Sequence, residues 1–274
     1  MTAIPVLMYH HVNDRGSFIT VEVALFELHM RLLKEMGYRT LHTSDLLDAA
    51  FQKSPPHKCV MITFDDGWLD NYVYAYPILK KYDLKAVVFV VTSHVIEKGL
   101  RPRSDEGFTT ALPSHKECVK MLEGGNGADC VLSWQELQQM ELSGLVDVQS
   151  HTHSHVRFDK LYQDKDVRLR HLLDDLRLSK ELIEQRLNKR CDALCWPWGV
   201  YDDEWISTAS QLGFKALFTT QTGTNTPQTD LMRVNRLVIG NIGGFSFRKK
   251  LFIHSNPWLS RMYVRTFKAD RTAH

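Results

Sequence analysis

With 274 residues, 43% of them apolar, 10% aromatic and 24% charged, the chain has the make-up of a globular protein with ample material for a core, and general disorder is excluded. A formal net charge of +2 is too balanced for a nucleic-acid protein, so no such partner is expected. The opening run Met1 to Met8 carries no basic leader, is interrupted by Pro5 and stops at His10, so it reads as neither a signal peptide nor a membrane span; five cysteines without a Cys-x-x-Cys pair fit a reducing, cytoplasmic compartment.

Taken in order, Ile4 to Tyr9 reads as a buried strand that delivers His10 and His11 at its end. Apolar residues at helical spacing predict a helix from Val21 to Met36, stopped by Gly37. Tyr38 to Leu41 is a short strand, Ser44 is the expected N-cap of a helix running to Ala50, and Ser54-Pro55-Pro56 breaks the chain. Cys59 to Phe64 is the next strand, Asp70 to Tyr82 a helix despite Pro77, and Ala86 to Val91 a strand rich in β-branched residues. From Ser93 to Cys130 the rhythm lapses into Arg-, Gly- and Pro-containing stretches, which predict an inserted, partly mobile excursion with an open role. Ser133 to Glu136 is a capping box opening a helix to Leu142. Leu145 to Ser150 alternates as a strand and delivers His151. Apolar positions 169, 172, 173, 176, 183 and 187 share one face of a long helix over 166–189. Strands at 193–196, 215–219 and 236–239, with a helix over 202–212, complete the series.

Seven or eight strands separated by helices favour parallel pairing with helices outside, an α/β fold of the distorted (β/α)7-8 barrel type in a single domain spanning 1–242, with the insertion at about 93–130 and a basic, aromatic segment from 243 to 274. His10, Asp65, Asp66, His151 and the Trp196-Pro197-Trp198-Gly199 turn all follow the C-terminal ends of predicted strands, the rim on which barrels build active sites.

Two adjacent carboxylates at the end of a buried strand repel unless a proton, hydrogen bonds or a cation compensates them. His151 and His155, four residues apart, reach one metal if the intervening residues turn, with His153 facing elsewhere. One carboxylate and two imidazoles leave coordination positions for water and substrate, as a catalytic site requires. Zinc suits that donor set, and nickel, cobalt, iron or manganese also fit.

Thr63-Phe64-Asp65-Asp66-Gly67, followed by His151-Thr152-x-x-His155 and Trp196-Pro197-Trp198-Gly199, resembles the polysaccharide deacetylases of carbohydrate esterase family 4, the NodB homology domain. The resemblance implies a barrel carrying a metal-dependent hydrolase of acetyl groups on sugars. It implies Asp65 as catalytic base, Asp66, His151 and His155 as metal ligands, and the Trp198 amide as oxyanion donor. In that reading a bound metal would activate water toward the acetyl carbonyl, and Asp65 would take its proton. Two departures stand out. Cys195 replaces the arginine that usually precedes this turn's proline and orients the base, with Arg233 or Arg236 as substitutes, and the late Leu-x-His motif that carries the acid is absent. Leu7-Met8-Tyr9-His10-His11-Val12 resembles the opening of a permuted subgroup that includes poly-N-acetylglucosamine deacetylases, which implies His10, with His11 as alternate, as the acid.

Trp68, Trp196 and Arg236 are the candidate substrate contacts. The expected substrate is an N-acetylated sugar, oligosaccharide or lipid-linked glycan; a deformylase or amidohydrolase of the same fold, and a catalytically silent glycan-binding barrel, are the alternatives. The segment 245–274 sets many basic residues and interleaved aromatics against Asp270 alone, which suits a packed terminal helix or peripheral contact with an anionic membrane at its inner face.

Overall fold

The computed structural model describes residues 3–16, 18–48, 53, 56–97 and 99–271. In chain order its strands are β1 (Val6–Tyr9), β2 (His11–Val12), β3 (Thr20–Val21), β4 (Arg39–Thr40), β5 (Cys59–Phe64), β6 (Ala86–Val90), β7 (Val146–Ser150), β8 (Ala193–Cys195), β9 (Ala216–Thr222) and β10 (Val234–Val238). From β5 onward each strand pairs in parallel with the next, β10 pairs with β1, and β1 pairs back with β5, so the sheet closes into a seven-strand parallel barrel. β4 adds to the start of β5, and β2 with β3 forms a separate parallel pair beside the rim.

Alternation along the strands sorts residues between two apolar clusters. Val6, Cys59, Met61, Val87, Phe89, Ala193, Cys195, Ala216, Phe218 and Val234 fill the barrel interior, while Leu7, Tyr9, Val60, Ile62, Phe64, Val88, Val148 and Leu237 face the surrounding helices. This is the period-two pattern of strands covered on both faces. Carried one step past the strand ends, the same parity aims His10, Asp65 and His151 into the barrel mouth. Register does the rest: Tyr9 lies opposite Phe64, so His10 and Asp65 emerge side by side.

Several helices match the sequence reading closely. The Ser133 hydroxyl accepts from Glu136 N at the head of the Trp134–Leu142 helix, and the long helix spans Lys165–Leu187. Other expectations need correction. The short helix is Thr43–Leu47 with His42, not Ser44, at its N-cap, because Asp45 accepts the His42 N–H at 2.9 Å; its expected end at Ala50, and Ser54-Pro55, lie outside the described residues. The predicted helix over 70–82 is a π-helical turn, Asn71–Ala75, running into an α-helix, Tyr76–Tyr82. Pro77 accounts for the change, since it removes a donor and crowds the preceding turn. The excursion is ordered by packing. It contains the helix His115–Glu123, its Cys118 and Cys130 are buried with Trp68 and Val131, and Arg101 pairs with the fully buried Glu136 at 2.5 Å. The C-terminal segment forms two helices, Gly244–His254 and Pro257–Arg271, the first fixed by Phe247 stacking on the buried His29 at 4.1 Å.

Candidate active site

Asp65 leaves β5 as a buried carboxylate held on both oxygens. Arg236 on β10, itself 1% exposed, donates from its two terminal nitrogens at 2.6 and 2.7 Å, and its Nε–H is satisfied by the Thr219 carbonyl at 2.8 Å. Such a bidentate pair fixes the carboxylate plane. Burial pushes the Asp65 carboxyl up, but the charge and hydrogen bonds of Arg236 outweigh it and leave it below the usual range. His10 Nε2 lies 3.8 Å from Asp65 Oδ2. Its position is secured by Asn71, whose side-chain amide donates to the His10 carbonyl at 2.8 Å. Burial lowers the His10 imidazole, with Asp65 and Asp66 pulling in the opposite direction.

Asp66 turns away from Asp65 because its backbone enters the left-handed region at φ 74, followed by Gly67 at φ 76. At Gly67 a Cβ would also approach Val90 Cγ1 to 3.1 Å. Asp66 Oδ1 then faces two imidazoles, 3.3 Å from His151 Nε2 and 3.4 Å from His155 Nε2, while Oδ2 accepts from the Trp68 indole at 2.9 Å. Burial raises the Asp66 carboxyl, and the His151 hydrogen bond with the neighbouring imidazoles brings it well below its ordinary value.

The segment 151–155 is a strained turn, with Thr152 at φ 70 and His155 at φ 55. Asp175 on the long helix holds it by accepting the His153 and Ser154 amides at 2.8 and 2.9 Å. The turn aims His151 and His155 inward and sends His153 to the Thr92 hydroxyl at 2.9 Å. His151 Nδ1 lies 2.8 Å from the Cys195 carbonyl; a carbonyl only accepts, so Nδ1 carries a proton, and Nε2 is the ring nitrogen that faces Asp66. Burial, then the His151 charge, push His155 down to about 4, so its imidazole is neutral near pH 7. Donor atoms of Asp66, His151 and His155 lie within 4.8 Å of one another. Two imidazole nitrogens and a carboxylate, with an outer hydrogen bond on His151 and on Asp66, fit a divalent cation with open positions. Cys195, with Asp65 and His151, makes a second such group, but Asp65 there is already engaged by Arg236.

Trp198 sits on a 3-10 turn, Pro197–Gly199, at φ 61; the residue is 63% exposed and its ring lies 5.3 Å from that of His155. Gly199 is obligatory beside it: φ is +67 and a Cβ would lie 1.9 Å from Thr220 Oγ1. The other expected substrate contacts are placed differently. Trp196 is 1% exposed and stacked on Tyr201, Trp68 is 4% exposed and stacked on His11 at 4.5 Å, and Arg236 is spent on Asp65. Burial withholds all three from a sugar, leaving Trp198 as the open aromatic face. His11, the alternate acid, is likewise committed: Nδ1 is 2.6 Å from Asp70 and Nε2 is 3.2 Å from His115 Nδ1. Arg233 is paired with Asp203 and Asp230 at the surface.

Sequence reasoning missed Asp175 and His115. Asp175 had a signal, since it falls with Ser179 on the apolar face that Leu172, Leu176 and Ile183 define, where a carboxylate needs a reason to be. His115 had none, because only the excursion's packing brings it to His11.

A family model described as Polysaccharide deacetylase matches residues 52–217. Over 235 residues the chain is 27% identical to the polysaccharide-deacetylase-type protein YxkH of Bacillus subtilis (strain 168), covering 85% of this chain and 70% of that one. It is 25% identical over 226 residues to the poly-beta-1,6-N-acetyl-D-glucosamine N-deacetylase of Staphylococcus aureus (strain MRSA252), covering 81% and 68%. Among solved structures it is similar to the Streptococcus pyogenes deacetylase PplD in complex with acetate, with a TM-score of 0.71 and 25% identity over 93% of this chain and 99% of that one.

Proposed function

The chain belongs to the polysaccharide deacetylase family, and from that premise we propose that it hydrolyses the acetamide of an N-acetylated sugar in a glycan or lipid-linked glycan. The observation that carries the reading is the convergence of Asp66, His151 and His155 beside an arginine-held carboxylate, Asp65, and a rim histidine, His10. The name of the Staphylococcus aureus relative supports N-deacetylation of a glucosamine polymer.

Asp66, His151 and His155 would hold a divalent cation, zinc by preference for two nitrogens and one oxygen. When bound, the cation supplies Lewis acidity, activating water near neutral pH and polarising the acetyl carbonyl. Asp65, its plane fixed by Arg236, accepts the proton from the attacking water on one of its oxygens. His10, on the neighbouring strand end, donates to the departing amine nitrogen. The Trp198 amide is the candidate donor to the developing oxyanion, and the exposed Trp198 ring offers an apolar face to the sugar. The five free, buried cysteines support placement on the cytoplasmic side.

The test couples elemental analysis to acetate release from N-acetylglucosamine oligomers. Wild type is expected to hold stoichiometric metal and release acetate, the His151→Ala/His155→Ala variant to lose both, and Asp65→Asn to keep metal while losing turnover. Wild type that takes up no metal after reconstitution, or Asp65→Asn with full activity, sinks the mechanism.

A further inference from the structure

The two C-terminal helices carry the same surface device. On Gly244–His254 the exposed positions Phe245, Arg248, Lys249 and Phe252 are spaced i, i+3, i+4, i+7, which at 3.6 residues per turn is one stripe. Phe247, Leu251 and His254 are buried on the opposite side of that helix. On Pro257–Arg271 the exposed Trp258, Arg261, Met262 and Arg265 repeat the spacing, with Ser260 buried against His254 and Tyr263 packed edge-on to the same ring. Each stripe therefore mixes two large apolar side chains with two cations, and the apolar members are far from covered: 84% exposed for Phe245, 69% for Phe252, 65% for Trp258 and 49% for Met262.

Exposed apolar side chains grouped on one face and rimmed by polar groups mark interaction sites, as singly scattered ones do not. Charge selects the partner. No Asp or Glu occurs between Leu231 and Ala269, and the nearest carboxylate recorded for these cations is Glu35, 3.9 Å from Arg248. A second copy of the chain would bring like charge against like charge. A helix with aromatic and aliphatic side chains flanked by Arg and Lys on one stripe is the pattern that lies in a bilayer interface, the apolar groups inserted and the cations at the headgroups.

We infer that the exposed stripes of Gly244–His254 and Pro257–Arg271 form a docking face for an anionic lipid bilayer. Among the described residues no helix is long and apolar enough to cross a membrane. Affinity is shared between apolar insertion and headgroup attraction, so each half is separately removable. The inference does not rest on the proposed deacetylation.

The full chain is tested by flotation with vesicles of phosphatidylcholine alone and of phosphatidylcholine with 30% phosphatidylglycerol. Four proteins are compared: wild type, Phe245→Ser/Phe252→Ser/Trp258→Ser/Met262→Ser, Arg248→Gln/Lys249→Gln/Arg261→Gln/Arg265→Gln, and a control with Phe18→Ser, another exposed aromatic. Wild type and the control should float with the anionic vesicles and not with the neutral ones, more weakly as salt is raised. Each quadruple variant should lose at least tenfold in partitioning at an unchanged melting temperature. Absence of wild-type partitioning, equal binding to both vesicle types, or variants that bind like wild type would overturn it. So would anionic binding abolished by the Phe18→Ser control, or partitioning of wild type onto an oligonucleotide in preference to the vesicles.

Discussion

Replacing Arg236 by methionine separates the support of the proposed base from the base itself. The guanidinium is buried and contacts both oxygens of a carboxylate that is 2% exposed, so its removal leaves the Asp65 charge in the barrel mouth without its bidentate partner. Breaking such a pair by losing one partner costs about 3–5 kcal/mol. An unfolding entropy of about 2.1 cal/mol/K per residue over 274 residues comes to about 0.6 kcal/mol/K, so the melting temperature should fall by about 5–9 °C. Adding Asp65→Asn removes the stranded charge, so the double variant should melt higher than Arg236→Met alone. Turnover of Arg236→Met should drop by about 100-fold, within the range a positioned base contributes, with metal content retained. The assay is a thermal melt of wild type, both single variants and the double, with acetate release and metal analysis alongside. Arg236→Met melting within about 1 °C of wild type, or a double variant less stable than Arg236→Met, would refute the reasoning.

Asp175→Ala should lower metal affinity by about 10–100-fold while the barrel still folds, because the turn 151–155 loses the acceptor for two amides; metal titration monitored by competition with a chelator checks it, and unchanged affinity counts against the turn's role. Gly199→Ala should destabilise by about 2–4 kcal/mol from overpacking and left-handed strain, given the 1.9 Å approach to Thr220, and chemical denaturation measures it. Stability should also fall with acid through His29. Burial pushes that imidazole down to about 4 against about 6.5 unfolded, so below pH 6.5 the unfolded chain binds a proton that the folded one refuses. Stability contributed by neutral His29 is thus full above pH 6.5 and declines as pH falls to 4, by about 3 kcal/mol in all. Denaturation at pH 7 and pH 4.5 for wild type and His29→Gln tests this; an identical pH slope in the variant refutes it.

Much of the site was legible because its chemistry is local. Asp65, Asp66 and Gly67 follow a run of buried residues, His151 and His155 are held in one short turn, and strand parity alone points Asp65 and His151 into the mouth. The family resemblance suggested the roles, and the opening Met8-Tyr9-His10-His11 suggested His10, which the structure brings to 3.8 Å from Asp65. Helix ends marked by capping chemistry, as at Ser133 and Glu136, were equally readable, since the cap and its partner are three residues apart. His42 was not, because histidine is not among the residue types whose side chains usually mark an N-cap.

What tertiary structure alone decided are the pairings between distant residues and the burial they produce. Nothing in the order of residues distinguishes Arg233 from Arg236 as the partner of Asp65, 171 positions away from the latter; the inward parity of β10 does, sending Arg236 to the carboxylate and leaving Arg233 among surface acids. Tertiary packing also buries Trp196 and, under the excursion, Trp68, whose aromatic character suggested sugar contacts, and leaves Trp198 exposed. His115 reaches the rim because the excursion folds back over Trp68. Side-chain type and spacing specify what a residue is able to do, but access to solvent and to a remote partner is a property of the closed barrel, and it exists only once all seven strands are in place.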